Sequence, residues 1–204
     1  MILLSGILLL AFLCGSIPTG NLIVKKTAGI DIRDAGSGNI GSTNVKRIAG
    51  TKAAITTQMI DILKGTIPVV AAILLAKHIE LPINRNILVP ITGLATIMGH
   101  DFTPFMNFKG GKGVNTTVGS FIIIAAIPTA IAGGMYFIFK LMTRIVSVGS
   151  IALAIALPIA VGCFKMPLPI FICSIFAGLL IIIQHKENIG RLLRGEEKPA
   201  ENNG

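Results

Sequence analysis

Long apolar runs alternate along the chain with three short polar, glycine-rich stretches. The apolar runs cover residues 2–24, 53–77, 87–99, 114–139, 145–164 and 167–184. Charged residues, glycine or proline bound each run, and about 20 apolar residues are enough for a helix to cross a bilayer. The pattern therefore predicts an all-α integral membrane protein, a polytopic bundle in which residues 1–204 form a single domain.

The apolar run at residues 114–139 is long enough to form either one helix or two. It holds Pro128 near its middle, followed by Gly133 and Gly134, which permits either one kinked helix or two short helices. Division at Pro128 gives seven transmembrane helices, and six helices with a re-entrant piece is the alternative. Half-segments of about 14 residues span only about 21 Å at 1.5 Å per residue, so the seven-helix count requires local thinning of the bilayer or partial re-entrance.

The three polar stretches must lie on the same side of the membrane if they bind one substrate. They read GSGNIGSTNVKR at residues 36–47, GHDFTPFMNFKGGKG at 99–113 and QHKENIGRLLRG at 184–195. An even number of crossings must then separate the second stretch from the third. Division of the long run at Pro128 satisfies this condition, which supports the count of seven.

Positive charge is distributed unequally between the two sides of this predicted topology. The side of the polar stretches holds Lys25, Lys26, Arg33, Lys46, Arg47, Lys52, Lys109, Lys112, Lys140, Arg144, Lys186, Arg191, Arg194 and Lys198; the other side holds Lys77, Arg85 and Lys165. Because Lys and Arg accumulate in cytoplasmic loops, we expect the polar stretches in the cytoplasm and the N-terminus outside. The first apolar run has no basic segment before it, so we interpret it as a retained helix and not as a signal peptide.

Composition excludes several classes of protein. A chain with 52% apolar residues, 13% charged residues and a mean hydropathy of +0.81 is not typical of a soluble domain. The net charge of +9 favours membrane lipids with anionic headgroups as partners and not nucleic acid, because the sequence has one tyrosine and no tryptophan for base stacking. Cys14, Cys163 and Cys173 lie in apolar runs without metal-ligand spacing, so we expect no disulfide and no metal.

The first polar stretch has the composition of an anion-binding loop. Its glycines leave backbone N–H groups unshielded, its short side chains donate hydrogen bonds, and it ends on a planar cation. These candidates are Gly36, Gly38, Gly41, Ser37, Asn39, Thr43, Asn44 and Arg47. Ser42 or Thr43 could equally cap the next helix, whereas Ser37, Asn39 and Arg47 together favour binding.

The second polar stretch places Lys112 among Gly110, Gly111 and Gly113, directly before a predicted helix. A helix N-terminus with a lysine suits a phosphate group. The spacing is not that of a Walker A loop, so nucleotide hydrolysis is not predicted. His100, at the end of the preceding apolar run, could contact a substrate, although a structural hydrogen bond is the favoured interpretation.

Two further groups of polar residues accompany the glycine-rich loops. His185 and Asn188 share one face of the helix that follows the last apolar run, with Arg191 at its flank. Asp61 and Lys64 stand three positions apart inside the second apolar run, where charges are tolerated mainly as an inward-facing pair. We hypothesise that this pair supports the pocket by orienting Arg47 or Lys112.

The three polar stretches, in this order, resemble the motifs of the bacterial membrane glycerol-3-phosphate acyltransferases of the PlsY type. GSGNIGSTNVKR is similar to the first motif, FKGGKGV with the preceding Gly99 and His100 to the second, and HKENIGRLLRGEE to the third. The resemblance covers nearly the whole chain. It implies seven transmembrane helices with cytosolic motifs in the cytoplasmic (inner) membrane of a bacterium.

The resemblance also implies a reaction. The 1-hydroxyl of glycerol 3-phosphate attacks the carbonyl of a long-chain acyl phosphate, which gives 1-acylglycerol 3-phosphate and inorganic phosphate without a cofactor. The implied site comprises Ser37, Asn39, Thr43, Asn44, Arg47, Lys112, His185 and Asn188. The base is either His185 or the departing phosphate, and we favour the phosphate. We expect a monomer.

A small transporter for an anion or a phosphorylated metabolite is the alternative function, because glycine-interrupted helices with inward cations also form transporter sites. All three polar stretches are predicted on one membrane face, and no inverted repeat is visible in the sequence. Both features disfavour transport. A purely structural subunit would leave the glycine and lysine loops without a purpose.

Overall fold

The computed structural model describes residues 2–80, 83–197 and 199, and within these ranges the regular structure is entirely helical. The α-helices are α1 (Ile2–Ser16), α2 (Thr19–Ala28), α3 (Ser42–His78), α4 (Arg85–Asp101), α5 (Val114–Ile124), α6 (Ala126–Thr143), α7 (Val146–Cys163), α8 (Leu168–Gln184) and α9 (Lys186–Leu193). The predicted all-α class is confirmed. Lys198, one of the cations counted above, lies outside the described residues.

Helix length and composition agree with an integral membrane protein. Four segments of the described chain are long and apolar enough to cross a bilayer, namely α1 with α2, α3, α6 and α7. The pair α8 and α9 makes a fifth, bent by 59° between the two helices. The shorter helices α4 and α5 are not among these segments, so each predicted apolar run is helical, but length and composition support four or five spans and the count of seven stays a prediction.

The long run at residues 114–139 is divided into two helices, but not at Pro128. Helix α5 ends at Ile124 and α6 begins at Ala126, and Ala125 between them has φ −148° and ψ 69°. Pro128 lies in the first turn of α6, where a residue has no intrahelical acceptor for its N–H group, so proline costs no hydrogen bond there. The predicted position of the break was therefore wrong by three residues, because the proline starts the second helix and does not end the first.

Glycines allow α1 and α4 to pack with their backbones almost in contact. A Cβ atom at Gly15 would lie 2.0 Å from the carbonyl oxygen of Thr96, and one at Gly99 would lie 2.0 Å from that of Phe12. Small residues at helix interfaces are typical of membrane proteins, where van der Waals contact between helices replaces the hydrophobic driving force. This packing fixes the end of α4, which carries His100.

The polar stretches meet at one end of the bundle. Helices α2, α4 and α8 end at this face, and α3, α5 and α9 begin there. The buried apolar core lies below it, where Phe121 of α5 packs with Leu153 and Leu157 of α7 and with Ala177 and Ile181 of α8. The predicted placement of the three polar stretches on one side is confirmed, and they surround a common cavity.

Candidate active site

A cavity of about 340 Å³ opens at the end of the bundle where the three polar stretches meet. Most of the predicted site residues line it: Gly36, Ser37, Asn39, Gly41, Thr43, Asn44, Arg47, Asp61, His100, Lys112, Gly113, His185, Asn188 and Arg191. Four predicted residues do not line it, namely Gly38, Lys64, Gly110 and Gly111. The sequence therefore predicted most of the lining of one cavity.

Asn44 holds the first polar stretch in shape. Its side chain is buried, its Oδ1 accepts the N–H of Ser37 at 2.9 Å, and its Nδ2 donates to the carbonyls of Ala35 at 3.1 Å and Asn39 at 3.0 Å. A Cβ atom at Gly36 would lie 2.1 Å from the same Oδ1. The amide of Asn44 is thus occupied by the loop, which makes it a support of the site and leaves it few bonds for a ligand.

Three side chains of the first stretch face the cavity without a protein partner. The hydroxyls of Ser37 and Thr43 and the guanidinium of Arg47 make no side-chain hydrogen bond or ion pair with the described part of the chain. Gly41 is the N-cap of α3 and neither Ser42 nor Thr43 caps that helix, so the capping alternative does not hold. Two hydroxyls and one cation are therefore free for an anion.

Gly110 and Gly111 let the second stretch fold back against the end of α4. Their N–H groups donate to the carbonyls of Asp101 at 3.1 Å and His100 at 3.0 Å. A Cβ atom at Gly110 would lie 2.0 Å from the His100 carbonyl oxygen, and one at Gly111 would lie 2.0 Å from His100 Nε2. These glycines do not line the cavity, but their tight turn directs Lys112 into it.

Lys112 is the cation at the centre of the site. Its Nζ donates to Oδ1 of Asn188, which joins the second and third stretches. The pKa of Lys112 is lowered to about 8, first by burial and then by the positive charges of Arg191 and Arg47, while the carboxylates of Glu197 and Glu187 partly oppose this shift. A bound phosphate would place a negative charge beside this ammonium group and so favour its protonated form.

His185 lies at the bend between α8 and α9, just beyond the end of α8. Its Nδ1 is 2.7 Å from the carbonyl oxygen of Ile181, so Nδ1 carries a proton and Nε2 has a free lone pair. Burial and the charge of Lys112 lower the pKa of His185 to about 4. The imidazole is therefore neutral near pH 7 and presents an acceptor.

Glu197 is a member of the site that the sequence analysis did not assign. Its carboxylate accepts hydrogen bonds from Nδ2 of Asn188, from Nε of Arg191 at 2.6 Å and from Oγ of Ser147 at 2.8 Å. Burial alone would raise the pKa of Glu197, but these hydrogen bonds outweigh burial and lower it. Glu197 thus orients Asn188 so that its Oδ1 faces Lys112.

Other cavity residues also escaped prediction. Ser147, Ser150 and Tyr136 line the cavity from α7 and α6, and Asn115 lines it from α5 and donates to Ser42 Oγ at 3.5 Å. The serines follow the boundary of an apolar run, where nothing in the local pattern distinguishes them from ordinary helix-packing residues. Glu197 is the last residue of the stretch HKENIGRLLRGEE, and its place in that motif was the sequence feature that could have identified it as a site residue.

Asp61 and Lys64 form a buried ion pair of 2.9 Å. Lys64 Nζ also donates to the carbonyl of Ile17 at 2.9 Å, and Asp61 Oδ1 lies 4.0 Å from Nδ1 of His100. Neither member bonds Arg47 or Lys112 within the described residues, so the hypothesis that the pair orients those cations is not supported. The pair instead ties α3 to the break between α1 and α2 and to the end of α4.

Residues 5–195 match the model of the family described as glycerol-3-phosphate acyltransferase. A glycerol-3-phosphate acyltransferase of Clostridium acetobutylicum is 52% identical over 200 residues, which cover 97% of this chain and all of that protein. One of Geotalea daltonii is 45% identical over 188 residues, which cover 92% of each chain.

The fold is also similar to solved structures. The crystal structure of PlsY, an integral membrane glycerol 3-phosphate acyltransferase, in its glycerol 3-phosphate form superposes with a TM-score of 0.87 at 34% identity, over 96% of this chain and 94% of that one. The lysophosphatidic acid form gives 0.84 at 33% identity over the same shares. These matches favour the acyltransferase interpretation over the transporter alternative. With three motifs joined in one cavity and relatives matched along nearly its whole length, this chain belongs to the glycerol-3-phosphate acyltransferase family and is an integral membrane enzyme.

Proposed function

We propose that the enzyme transfers a fatty acyl group from a long-chain acyl phosphate to the 1-hydroxyl of glycerol 3-phosphate. The products are 1-acylglycerol 3-phosphate (lysophosphatidic acid) and inorganic phosphate, and the reaction is the first acylation of phospholipid biosynthesis. The observation that carries the proposal is the convergence of Arg47, Lys112, Ser37 and Thr43 on one cavity. Two substrates that each bring a phosphate require this concentration of cations and neutral donors.

The cations have different parts in binding. The guanidinium of Arg47 is planar and has no protein partner in the described chain, so it can donate two parallel hydrogen bonds to a phosphate. Lys112 supplies a point charge whose position is set by Asn188. The hydroxyls of Ser37 and Thr43 add neutral donors, and together these groups hold the two reactants in one orientation.

The chemical step needs no protein nucleophile. The glycerol 1-hydroxyl oxygen attacks the acyl carbonyl carbon, the carbonyl oxygen becomes negative in the tetrahedral intermediate, and the carbon–oxygen bond to phosphate then breaks. We assign the stabilisation of this negative oxygen to Lys112 and Ser37, whose side chains are hydrogen-bond donors that line the cavity. The hydroxyl proton leaves with the departing phosphate, which becomes hydrogen phosphate.

His185 is an orienting residue in this proposal. With Nδ1–H bonded to the Ile181 carbonyl, its Nε2 can accept a hydrogen bond from the glycerol hydroxyl and align it for attack. A pKa of about 4 makes the imidazole a weak proton acceptor at neutral pH. The substrate phosphate is the stronger candidate for the base.

We further propose that the site faces the cytoplasm of a bacterial inner membrane and that the enzyme acts as a monomer. The positive charges that flank the polar stretches support the orientation. All three motifs of the cavity come from one chain, so the site does not require a second copy.

A two-substrate assay tests the proposal. Purified protein in detergent is incubated with palmitoyl phosphate and glycerol 3-phosphate, and lysophosphatidic acid and inorganic phosphate are measured. We expect both products only when both substrates are present, and none when palmitoyl-CoA replaces the acyl phosphate. Accumulation of glycerol 3-phosphate in proteoliposomes without product formation would overturn the proposal in favour of transport.

The substitution His185→Gln is expected to lower kcat only a few-fold. Glutamine keeps a hydrogen-bonding group near the hydroxyl but cannot act as a base, so a small effect is consistent with proton transfer to phosphate. Steady-state kinetics with both substrates measure the effect. A loss of about 10⁴-fold in kcat with unchanged substrate KM would assign the base to His185.

Activity should fall on the alkaline side with an apparent pKa near 8 in kcat/KM. The pKa of Lys112 is lowered to about 8, so raising the pH through this value removes its positive charge from the free enzyme. In the substrate complex the bound phosphate raises that pKa, so the alkaline limb of kcat should lie at higher pH. Identical limbs in kcat and kcat/KM would assign the titration to another group.

A further inference from the structure

Gly50 interrupts helix α3 close to the cavity. Its backbone has φ 81° and ψ 179°, although the chain is helical on both sides of it. This pair of angles is essentially restricted to glycine, because a side chain would clash with the neighbouring peptide groups. Gly50 therefore divides α3 into a short segment of residues 42–49 and a long segment of residues 51–78.

A lack of space does not explain the glycine. Gly50 is exposed, and a Cβ atom there would meet no atom of another helix or loop of the described chain within 4 Å. Gly15 and Gly65 differ, because a Cβ atom at these positions would lie 2.0 Å and 2.4 Å, respectively, from a carbonyl oxygen of the adjacent helix. The backbone conformation alone therefore requires glycine at position 50.

The two segments of α3 are held by different parts of the molecule. In the short segment, Asn44 bonds the first polar stretch, and the buried Val45 packs against α2, where a Cβ atom at Gly20 would lie 3.0 Å from its Cγ2. The long segment packs against α5, since Gly65 faces the Thr116 carbonyl. Gly50 lies where the chain passes from one set of contacts to the other.

The short segment carries two of the residues assigned to substrate binding. Thr43 and Arg47 are four positions apart, so they share a helical face, and both line the cavity. The Arg47 guanidinium makes no hydrogen bond or ion pair with the described residues. Its position is therefore set by the backbone of the short segment and not by a contact of its own.

We propose that Gly50 is a positioning residue, whose glycine-only conformation sets the direction of the short segment so that Arg47 faces the cavity. An alanine would have to move φ from 81° to a negative value. In a helix this value is near −63°, which is a rotation of about 145° about the N–Cα bond. Such a rotation turns residues 42–49 relative to the long segment. The effect of Gly50 on catalysis rests on the proposed function, whereas its effect on geometry does not.

Steady-state kinetics test the catalytic consequence. Gly50→Ala is expected to lower kcat/KM about 10²-fold, because a misplacement of about 1 Å can cost this much. The thermal midpoint should not fall, since alanine favours helix over glycine. Gly29→Ala is the matched control: Gly29 ends α2 with φ 72°, has the same open space and does not line the cavity. Native kcat/KM in Gly50→Ala, or an equal loss in Gly29→Ala, overturns the proposal.

A double variant tests whether Gly50 acts through Arg47. If it does, Gly50→Ala should add little to the loss of activity already caused by Arg47→Gln, because two changes that remove one interaction are not additive. A role of Gly50 in the general stability of the fold would instead multiply the two losses. Losses that multiply in full overturn the proposal.

A distance measurement tests the geometry without turnover. Spin labels are attached to Arg47→Cys and to the native Cys163, which is exposed at the end of α7, with Cys14 and Cys173 replaced by alanine. Gly50→Ala is expected to shift the distance between the labels, and Gly29→Ala is expected to leave it unchanged. Equal distances with Gly50 and with Gly50→Ala overturn the proposal.

The kinetic and distance measurements separate the inference from the proposed function. A shifted distance in Gly50→Ala, together with a native protein that forms no product, leaves the geometric inference intact and removes the proposed function. A native protein that forms product, with neither distance nor kcat/KM changed by Gly50→Ala, removes the inference alone.

Discussion

Replacement of Lys112 by methionine is expected to lower kcat/KM by about 10³-fold while the protein stays folded. Removal of one donor aimed at a developing oxyanion typically costs 10²–10³-fold, and Lys112 also contributes a charge to phosphate binding. Methionine fills a similar volume and leaves Gly110, Gly111 and Gly113 able to form the turn. The effect is measured by steady-state kinetics with both substrates, and detergent-phase thermal unfolding checks the fold.

Lys109→Met is the matched control for this variant. Lys109 belongs to the same loop and is exposed, but it does not line the cavity. We expect its kcat/KM to stay within about threefold of the native value, because an exposed charge contributes little. Lys112→Arg should recover little activity, since a guanidinium fork does not reproduce a point charge held by Asn188. If Lys112→Met kept more than a tenth of the native activity, Lys112 would not be the central cation.

The fold could be predicted from the sequence as far as it depends on hydrophobicity. Apolar runs of sufficient length require helices in a bilayer, because every backbone polar group must be bonded within the chain. The break at Ala125 could not be placed, since alanine is a good helix former and gives no sign of a break in the sequence. Pro128 gave a false position because proline is tolerated in a first helical turn.

The candidate site was predictable where its chemistry requires unusual residues in a membrane protein. Arg47, Lys112 and His185 are conspicuous between apolar runs, and each lines the cavity. Which residues face the cavity and which hold the loops in place could not be predicted, because this depends on distances between helices and loops. Asn44 was expected to contact a substrate, but its side chain bonds its own loop. Glu197 was not assigned from the sequence, but its carboxylate accepts three hydrogen bonds in the site.

The glycines of the second stretch illustrate the same limit. From the sequence, Gly110 and Gly111 were expected to form a phosphate-binding loop with Lys112. Those N–H groups are bonded to the carbonyls of Asp101 and His100 instead. The glycines are needed because a side chain would overlap α4. Their contribution to the site is the position of Lys112, which only the three-dimensional contact between loop and helix reveals.

Lys64→Met is expected to destabilise the folded protein by about 3–5 kcal/mol. The substitution removes the partner of a buried carboxylate, and breaking a buried ion pair on one side leaves a charge without compensation. It also removes one of the donors to the Ile17 carbonyl at the end of α1, which still accepts the backbone N–H of Thr19 at 2.9 Å. Equilibrium unfolding in mixed micelles, followed by the thermal midpoint, measures the loss.

The double variant Asp61→Asn with Lys64→Met distinguishes loss of the pair from loss of packing. Asparagine removes the uncompensated charge, so we expect it to recover more than half of the stability lost by Lys64→Met. Lys77→Met, which changes an exposed lysine in the last turn of α3, should leave the midpoint nearly unchanged. Because His100 lies 4.0 Å from Asp61 and its carbonyl fixes Gly111, the single variant should also lose activity before it unfolds. Equal midpoints for the native protein and Lys64→Met would mean that the pair does not hold α3 against the break between α1 and α2.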